Sequence, residues 1–159
     1  MSDTPDALRL RAEDGDDLVV IAAMLQDAIT RPADMGFDRR ARRFALVFNR
    51  FAWERESSSQ AGPARVRTGV HFGGVLDVKM KGIDRRRREP LALLTIRQAE
   101  GPDVTATLSL DFAGGGSIRL AVECIEAEMA DLTTPWPAKS RPNHPESSRI
   151  RLVWRGSFA

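Results

Sequence analysis

Residues 104–122 read VTATLSLDFAGGGSIRLAV and predict a β-hairpin, the most clearly patterned part of the chain. In its first half, polar residues alternate with an apolar set made up of Val104, Ala106, Leu108, Leu110 and Phe112. This period of two is typical of a strand with one buried face. Three successive glycines, Gly114–Gly116, supply the backbone freedom of a tight turn. In the returning strand, the apolar positions are Ile118, Leu120, Val122 and Cys124.

The same alternation recurs in the residues that precede the hairpin. It predicts three strands, and the residues on one face of each strand are, in turn, Phe44, Leu46 and Phe48; Val66, Thr68, Val70 and Phe72; and Leu76, Val78 and Met80. Phe51 and Trp53 fall in the opposite phase to the first of these sets, which predicts a β-bulge near Asn49 or Arg50. Gly73–Gly74 predicts a sharp bend, and residues 91–97 predict a further, more deeply buried strand.

One amphipathic helix is predicted ahead of these strands. Its apolar residues recur every three or four positions over about residues 16–30, and they are Leu18, Ile21, Ala22, Leu25 and Ile29. Acidic residues gather at the start of the helix, where the backbone dipole favours negative charge, and Pro32 follows its end. The apolar stripe of the helix therefore needs the sheet as a packing surface.

Together these patterns predict an α+β fold, in which the N-terminal helix packs on a twisted, mostly antiparallel sheet of six or seven strands. The bulge and the bend add curvature, so the sheet either stays open or curls into a half-open barrel. Residues 125–132 fit a strand or a helical turn, and we favour the strand. We assign residues 1–132 to a single domain. Residues 133–159 are predicted to form an extended, proline-rich tail that Trp136 pins to the domain.

Composition and charge narrow the class of protein. The chain has 159 residues, of which 42% are hydrophobic and 29% charged, as in an ordinary globular domain. One cysteine permits no internal disulfide, and no stretch approaches the ~20 apolar residues of a membrane span, so we expect a cytoplasmic protein without a membrane partner. The net charge of +2 conceals a strongly basic middle segment, with +9 over residues 31–98 between acidic segments on either side.

Two groups of arginines in this basic segment are the candidate binding residues. The predicted patch contains Arg39, Arg40, Arg42, Arg43, Arg50, Arg85, Arg86, Arg87 and Arg88. Arginine binds phosphate and carboxylate groups in a planar fork, so this patch would suit a phosphate-bearing partner such as nucleic acid. A GC-rich genome would give the same arginine content without a function, and solvated turns would give the same runs of charge.

The other polar residues do not assemble into a catalytic, metal-binding or nucleotide-binding pattern. His71 lies on the polar side of its strand and could act as an acid or base, but it has no evident partner. His144 lies in the proline-rich tail, and Cys124 shares the apolar phase of its strand, which predicts a buried thiol. Gly114–Gly116 join strand to strand, whereas phosphate-binding loops join a strand to a helix. We therefore expect no cofactor and no metal, and we lean against an enzyme.

Several strings in the chain resemble those of a known family. They are residues 18–28 (LVVIAAMLQDA), 43–54 (RFALVFNRFAWE), 112–120 (FAGGGSIRL) and 135–142 (PWPAKSRP). In combination, over about residues 7–145, they resemble a family of short alphaproteobacterial proteins described only as a domain of unknown function. The resemblance implies a bacterial, cytoplasmic protein and assigns no active-site residue.

These observations predict a noncatalytic protein-interaction module that uses an exposed sheet edge or the tail. The sequence identifies neither the protein partner nor the oligomeric state. The alternative function is nucleic-acid binding through the central arginine-rich segment. A small enzyme is the third possibility, and it would be favoured by a concave pocket that holds His71 with a carboxylate within hydrogen-bond reach of the imidazole.

Overall fold

The computed structural model describes residues 8–51, 64–86, 88–99, 106–133 and 136–137, which form one α-helix, a short 3-10 turn and eleven strands. In chain order the elements are β1 (Arg9–Ala12), α1 (Gly15–Met24), β2 (Ile29–Thr30), the 3-10 turn (Pro32–Asp34), β3 (Met35–Asp38), β4 (Arg43–Phe51), β5 (Ala64–Phe72), β6 (Val75–Lys81), β7 (Leu91–Ala99), β8 (Ala106–Phe112), β9 (Ser117–Val122), β10 (Ala127–Asp131) and β11 (Trp136–Pro137).

The strands pair in one open path, in the order β1-β10-β5-β4-β2-β7-β8-β9-β6, and each pair is antiparallel. β3 joins the sheet beside β4, and β11 joins it beside β5. The prediction of a mostly antiparallel sheet with one helix is confirmed, but eleven strands replace the expected six or seven. The expected number was too low because strands as short as β1, β2 and β3 contain too few residues to show a period of two.

The helix begins close to its predicted start and ends earlier than predicted. The Asp14 side chain accepts a hydrogen bond from the backbone N–H of Asp17 at 2.8 Å and caps the first turn. The predicted end at residue 30 is wrong, because Asp27 adopts a left-handed conformation with a φ of 67°. The N–H of Asp27 then donates to the Leu93 carbonyl, and the Leu93 N–H donates to the Ala28 carbonyl. The chain therefore leaves the helix to pair with β7.

The core lies between the helix and the inward face of the sheet. The helix contacts β1 and β7, and its residues Leu18, Ile21 and Leu25 are buried with inward-facing strand residues in one cluster. In the hairpin, the predicted apolar phase is buried at Leu108, Leu110, Phe112, Ile118, Leu120 and Val122. Val104 lies outside the described residues. The hairpin and the helical stripe thus meet as the alternation and the helical period predict.

β4 departs from its predicted geometry at Arg50. The register of β4 with β5 is continuous over Phe44–Phe51, so the bulge predicted near Asn49 or Arg50 is wrong. Irregularities in register occur in β6 and β7 instead. Arg50 keeps the core-facing phase of Phe48 and is 0% exposed. The change of phase in the sequence arises because a charged side chain occupies a core position.

The predicted bend at Gly73–Gly74 joins β5 to β6, and the segment between β9 and β10 bends beside it. The Gly73 N–H donates to the Glu126 carbonyl, and the Glu123 N–H donates to the Gly74 carbonyl, both at 2.9 Å. Gly74 has a φ of 66°, a conformation that glycine adopts without strain. The paired bends connect two sets of strands in the sheet, one around β4, β5 and β10 and the other formed by β7, β8, β9 and β6.

For the segment after the hairpin, one prediction is confirmed and another is wrong. Residues 127–131 form β10, so the strand that we favoured over a helical turn is confirmed. Cys124 is exposed in the bend after β9, so the prediction of a buried thiol is wrong; β9 ends at Val122, before the alternation reaches the cysteine. The backbone of Trp136 pairs with Arg65 of β5, while the boundary at residue 132 stays a prediction.

Candidate functional site

The predicted arginines occupy three different environments. The turn before β4 and the first residue of β4 carry four exposed arginines, Arg39, Arg40, Arg42 and Arg43. The loop after β6 carries the exposed residues Arg85, Arg86 and Arg88, and Arg87 lies outside the described residues. Arg50 belongs to neither surface group, because it is buried.

The two exposed groups do not lie together. The N–H of Val75, at the start of β6, donates to the Arg42 carbonyl at 2.9 Å, whereas the second group follows the end of β6. The seven residues of β6 separate the groups by about 20 Å, at ~3.3 Å per residue. Within the first group, Arg42 forms an ion pair with Glu123 at 2.8 Å, and the Arg39 guanidinium lies 5.1 Å from the centroid of the Phe37 ring. A binding role for the exposed arginines stays a prediction.

Arg50 forms a buried ion pair with Asp131 of β10. Its Nη2 lies 2.9 Å from Asp131 Oδ2, and its Nε donates to Oδ1 at 3.2 Å. The Thr68 hydroxyl donates to Asp131 Oδ1 at 2.8 Å and accepts from Arg50 Nε at 3.1 Å. The Arg50 and Asp131 side chains are 0% and 7% exposed. Arg50 is therefore closed to a partner in solution, and its inclusion in a surface patch is wrong.

A depression on the outer face of the second set of strands brings together cations that the sequence analysis did not single out. Its volume is about 710 Å³, and its charged lining residues are Lys79, Lys81, Arg97, Asp111 and Arg119. The strand register explains why they converge: Arg97 lies opposite Ser109, Ser109 opposite Arg119, and Arg119 opposite Lys79. We call the surface formed by Lys79, Lys81, Arg97 and Arg119 the basic groove.

One carboxylate lies within the basic groove and is held by its neighbours. Asp111 Oδ2 accepts a hydrogen bond from Arg97 Nε at 2.8 Å, and Oδ1 accepts one from the Ser109 hydroxyl at 2.8 Å. Burial alone would raise the pKa of Asp111, but the hydrogen bonds from Arg97 and Ser109 and the charges of Arg97 and Arg119 outweigh it and lower the pKa below its ordinary value. Asp111 is therefore ionised at neutral pH and compensates the charge of Arg97.

The other three cations of the basic groove have no such partner. Within the described part of the chain, Lys79, Lys81 and Arg119 form no ion pair and no side-chain hydrogen bond. All three are exposed, and the hairpin turn at Gly114–Gly116 lines the same depression. The groove thus presents three positive charges without ion pairs, from two neighbouring strands, and the charge of Arg119 also acts on Asp111.

A sequence signal for the basic groove exists but is incomplete. Lys79 and Lys81 occupy the polar phase of β6, and Arg119 occupies the polar phase of β9. These phases show that each side chain points away from the core. They do not show that β6 pairs with β9, because the two strands are separated in the chain by β7 and β8. The convergence follows from strand order, which the sequence alone does not specify.

His71 has the carboxylate partner that the sequence did not reveal. Its Nε2 lies 2.9 Å from Glu128 Oε1, because β5 and β10 place the two residues directly opposite each other. The hydrogen bond from His71 is the largest cause of a lowered pKa for Glu128; burial opposes it, and the charges of His71, Arg11 and Arg9 add to it. The pair meets one condition for acid–base chemistry, but His71 does not line the basic groove.

A metal site and a membrane-spanning helix are both absent from the described ranges. There, no group of three or more histidine, cysteine, aspartate or glutamate residues is arranged to hold a metal ion, and His144 lies outside those ranges. None of the described helical segments has the length and apolar character that crossing a bilayer requires.

The comparison with known proteins identifies the family of this chain without adding a site. Neither the curated proteins nor the solved structures give a match. The model of a family described as a protein of unknown function (DUF2948) matches residues 8–144. This match covers all the described elements from β1 to β11, and the chain therefore belongs to the DUF2948 family.

Proposed function

We propose that this protein is a noncatalytic interaction module that binds an acidic segment of a partner protein in the basic groove. The observation that carries the proposal is the convergence of Lys79, Lys81 and Arg119 on one face, where none of them forms an ion pair with another described residue. The four cations of the basic groove outnumber its one carboxylate, Asp111, and the resulting positive potential attracts and orients an oppositely charged partner.

The size and lining of the basic groove support a peptide-like occupant. Its volume of about 710 Å³ falls within the ~300–1,000 Å³ of typical ligand pockets. Leu94 lines the same depression and is 52% exposed, so an apolar side chain of the partner would gain a contact there. An acidic segment that also carries apolar residues would match both features.

The same lining argues for a protein partner over a single-stranded nucleic acid. Phe112 is the only aromatic residue among the described residues of the groove, and it is 1% exposed. Base stacking on exposed aromatic rings contributes ~1–3 kcal/mol per base in nonspecific single-strand binding, and a buried ring cannot provide it. Nucleic acid therefore remains the alternative partner, to be separated by experiment.

The state of Asp111 supports binding over catalysis in the groove. A general base works best when its pKa lies near the working pH. The pKa of Asp111 is instead lowered, because Arg97 and Ser109 hold its carboxylate in the ionised form. This carboxylate positions Arg97 and is a poor proton acceptor at neutral pH.

The proposal is tested by titrating the full chain into fluorescently labelled poly-L-glutamate and measuring anisotropy at about 50 mM salt, where charge-driven contacts are strongest. The groove variant is Lys79→Gln with Arg119→Gln. The matched control is Arg40→Gln with Arg43→Gln, which removes two exposed arginines from the predicted patch. Labelled single-stranded and duplex oligonucleotides are titrated in parallel.

We expect the groove variant to lose roughly 5- to 30-fold in affinity for poly-L-glutamate, since two exposed charge contacts contribute about 1–2 kcal/mol together. The control variant should bind like the unaltered protein. Equal losses in the two variants, or none in the groove variant, would reject the groove. Oligonucleotide binding that is tighter than poly-L-glutamate binding and lost in the groove variant would replace the protein partner with nucleic acid.

A further inference from the structure

In the part of the chain that the structure describes, β6 lies at the end of the sheet and pairs along one edge only. Within the described residues β6 pairs with β9 alone. Its outward side chains Lys79 and Lys81 are exposed, and its inward side chains Val78 and Met80 are only partly buried against the core. An edge with unpaired backbone groups is a template for another extended chain. β6 therefore offers hydrogen-bonding groups beside the cations of the basic groove.

The two ends of the open edge of β6 lie near residues that flank or begin β3. At one end, the Val75 N–H donates to the carbonyl of Arg42, which follows β3. At the other end, Met35 at the start of β3 and Ile83 just beyond β6 line one cavity of about 620 Å³. β3 pairs with β4 and β6 pairs with β9, and the described residues form no ladder between β3 and β6. We call the space between these strands the β3–β6 slot.

We infer that the acidic segment continues from the basic groove past Lys79 and Lys81, and that this continuation binds in an extended conformation as an additional strand on the open edge of β6, in the β3–β6 slot, with acidic and apolar side chains alternating. The inference rests on the proposed function, because the basic groove supplies the charge that attracts the segment. Paired strands place side chains of the same face next to each other. Acidic residues of the segment would therefore lie beside Lys79 and Lys81.

The inward face of β6 determines which residues of the segment fit between the acidic ones. Side chains between the acidic residues would lie beside Val78 and Met80 and would complete their burial, so they must be apolar. The new backbone hydrogen bonds give affinity that does not depend on sequence, and the alternation gives selectivity. The recognised segment is thus one in which acidic and apolar residues alternate strictly.

Charge distinguishes an acidic partner segment from the C-terminal residues of this chain. Residues 133–159 carry five basic and one acidic side chain, the wrong sign for this edge. A second copy of β6 would place lysines next to lysines, which is unfavourable in paired strands. Lysines on an edge strand discourage indiscriminate pairing. An acidic partner segment is the occupant that this edge favours.

The test uses seven-residue peptides with capped ends, which have the same length as β6. One peptide alternates Glu and Val, and a second has the same composition with its Glu and Val residues in two separate blocks. Two N-methylated forms of the alternating peptide carry the methyl groups on the odd or on the even backbone nitrogens. Affinities for the full chain are measured by isothermal titration calorimetry, with poly-L-glutamate as a reference.

A second pair of reagents tests which strand receives the peptide. The variant Lys79→Glu with Lys81→Glu reverses the charge beside the edge, and a peptide that alternates Lys and Val is its matched ligand. Both substituted residues are exposed, and circular dichroism and urea denaturation verify that the variant is folded. The variant should prefer the Lys–Val peptide, whereas the unaltered protein should prefer the Glu–Val peptide.

We expect the alternating Glu–Val peptide to bind at least about tenfold more tightly than the block peptide, since only alternation places every side chain on its matching face. One N-methylated form should lose more binding than the other, because alternate amides of an added strand face β6 and the rest face the shorter β3. Equal binding of all four peptides would overturn strand addition and leave the basic groove in place. No binding of these peptides or of poly-L-glutamate would reject both proposals.

Discussion

Arg50 and Arg119 lie on opposite faces of one sheet, and their surroundings give them opposite roles. Arg50 points into the core, where Asp131 and Thr68 bind its guanidinium. Arg119 points outward, is exposed, and has no ion-pair partner among the described residues. A buried charge must be paired because an unpaired one costs several kcal/mol, whereas an exposed charge carries no such requirement. Burial therefore separates an arginine that holds the fold from one that is free to bind.

The largest effect should come from breaking the buried pair. Asp131→Asn leaves the Arg50 charge without its carboxylate in a site that is closed to water. We expect the free energy of unfolding to fall by about 3–5 kcal/mol in urea denaturation. The double variant Arg50→Met with Asp131→Leu should recover most of that loss, because it removes both charges. A cost below about 1 kcal/mol for Asp131→Asn would show that Arg50 does not depend on this pair.

The basic groove should behave in the opposite way, with an effect on binding and little on stability. Lys79→Gln and Arg119→Gln remove exposed charges that make no internal ion pair among the described residues. We expect each to change the free energy of unfolding by less than about 0.5 kcal/mol. A loss of about 2 kcal/mol or more from Arg119→Gln would mean that Arg119, like Arg50, stabilises the fold.

Asp111 should make the free energy of unfolding depend on pH, with a smaller effect than that of the buried Arg50–Asp131 pair. Its folded-state pKa is lowered below an unfolded value of about 3.9: burial would raise it, but the hydrogen bonds from Arg97 and Ser109 and the charges of Arg97 and Arg119 outweigh burial. The ionised carboxylate therefore stabilises the folded state fully above the unfolded pKa, and this contribution is lost as the pH falls through the folded pKa. Urea denaturation at a series of acidic pH values should show a shallower decline for Asp111→Asn than for the unaltered protein. Identical pH profiles would remove Asp111 as a contributor.

The smallest effect should come from the exposed ion pair of Arg42 and Glu123. Both side chains are about half exposed, at 55% and 50%. Glu123→Gln should therefore lower the free energy of unfolding by at most about 1 kcal/mol. The difference should disappear at about 1 M salt, where the screening length is only ~3 Å. A difference that persists at high salt would point to a contact other than the ion pair.

The parts of the fold that follow from local pattern were predictable. The hairpin of β8 and β9 and the helical stripe through Leu18 and Ile21 needed only a period of two or of 3.6 residues. The end of the helix was not predictable, because Asp27 turns away to pair with Leu93, a residue far along the chain. The bulge near Arg50 was predicted because a charged residue in a core phase resembles a change of phase. Its partner Asp131 lies 81 positions later, beyond the range of any local pattern.

The candidate site was less predictable than the fold. The arginine-rich turns around Arg40 and Arg86 stand out because their charges are consecutive, but consecutive residues in a turn need not share a surface. Lys79 and Arg119 give no signal of a binding site in the sequence, since each is a single cation in an alternating strand. They become neighbours only because β6 pairs with β9. Residues that meet through strand order are found by structure and not by runs of charge.

The most direct test of the account is a two-dimensional 1H–15N NMR titration of the full chain with poly-L-glutamate. Binding in the basic groove predicts shifts concentrated in the backbone amides of β6, β9 and the turn at residues 113–116, with the amides around Arg50 and Asp131 unmoved. Shifts concentrated instead in residues 39–43 or 84–88, with β6 and β9 unmoved, would contradict the account and return the binding role to the arginine-rich turns.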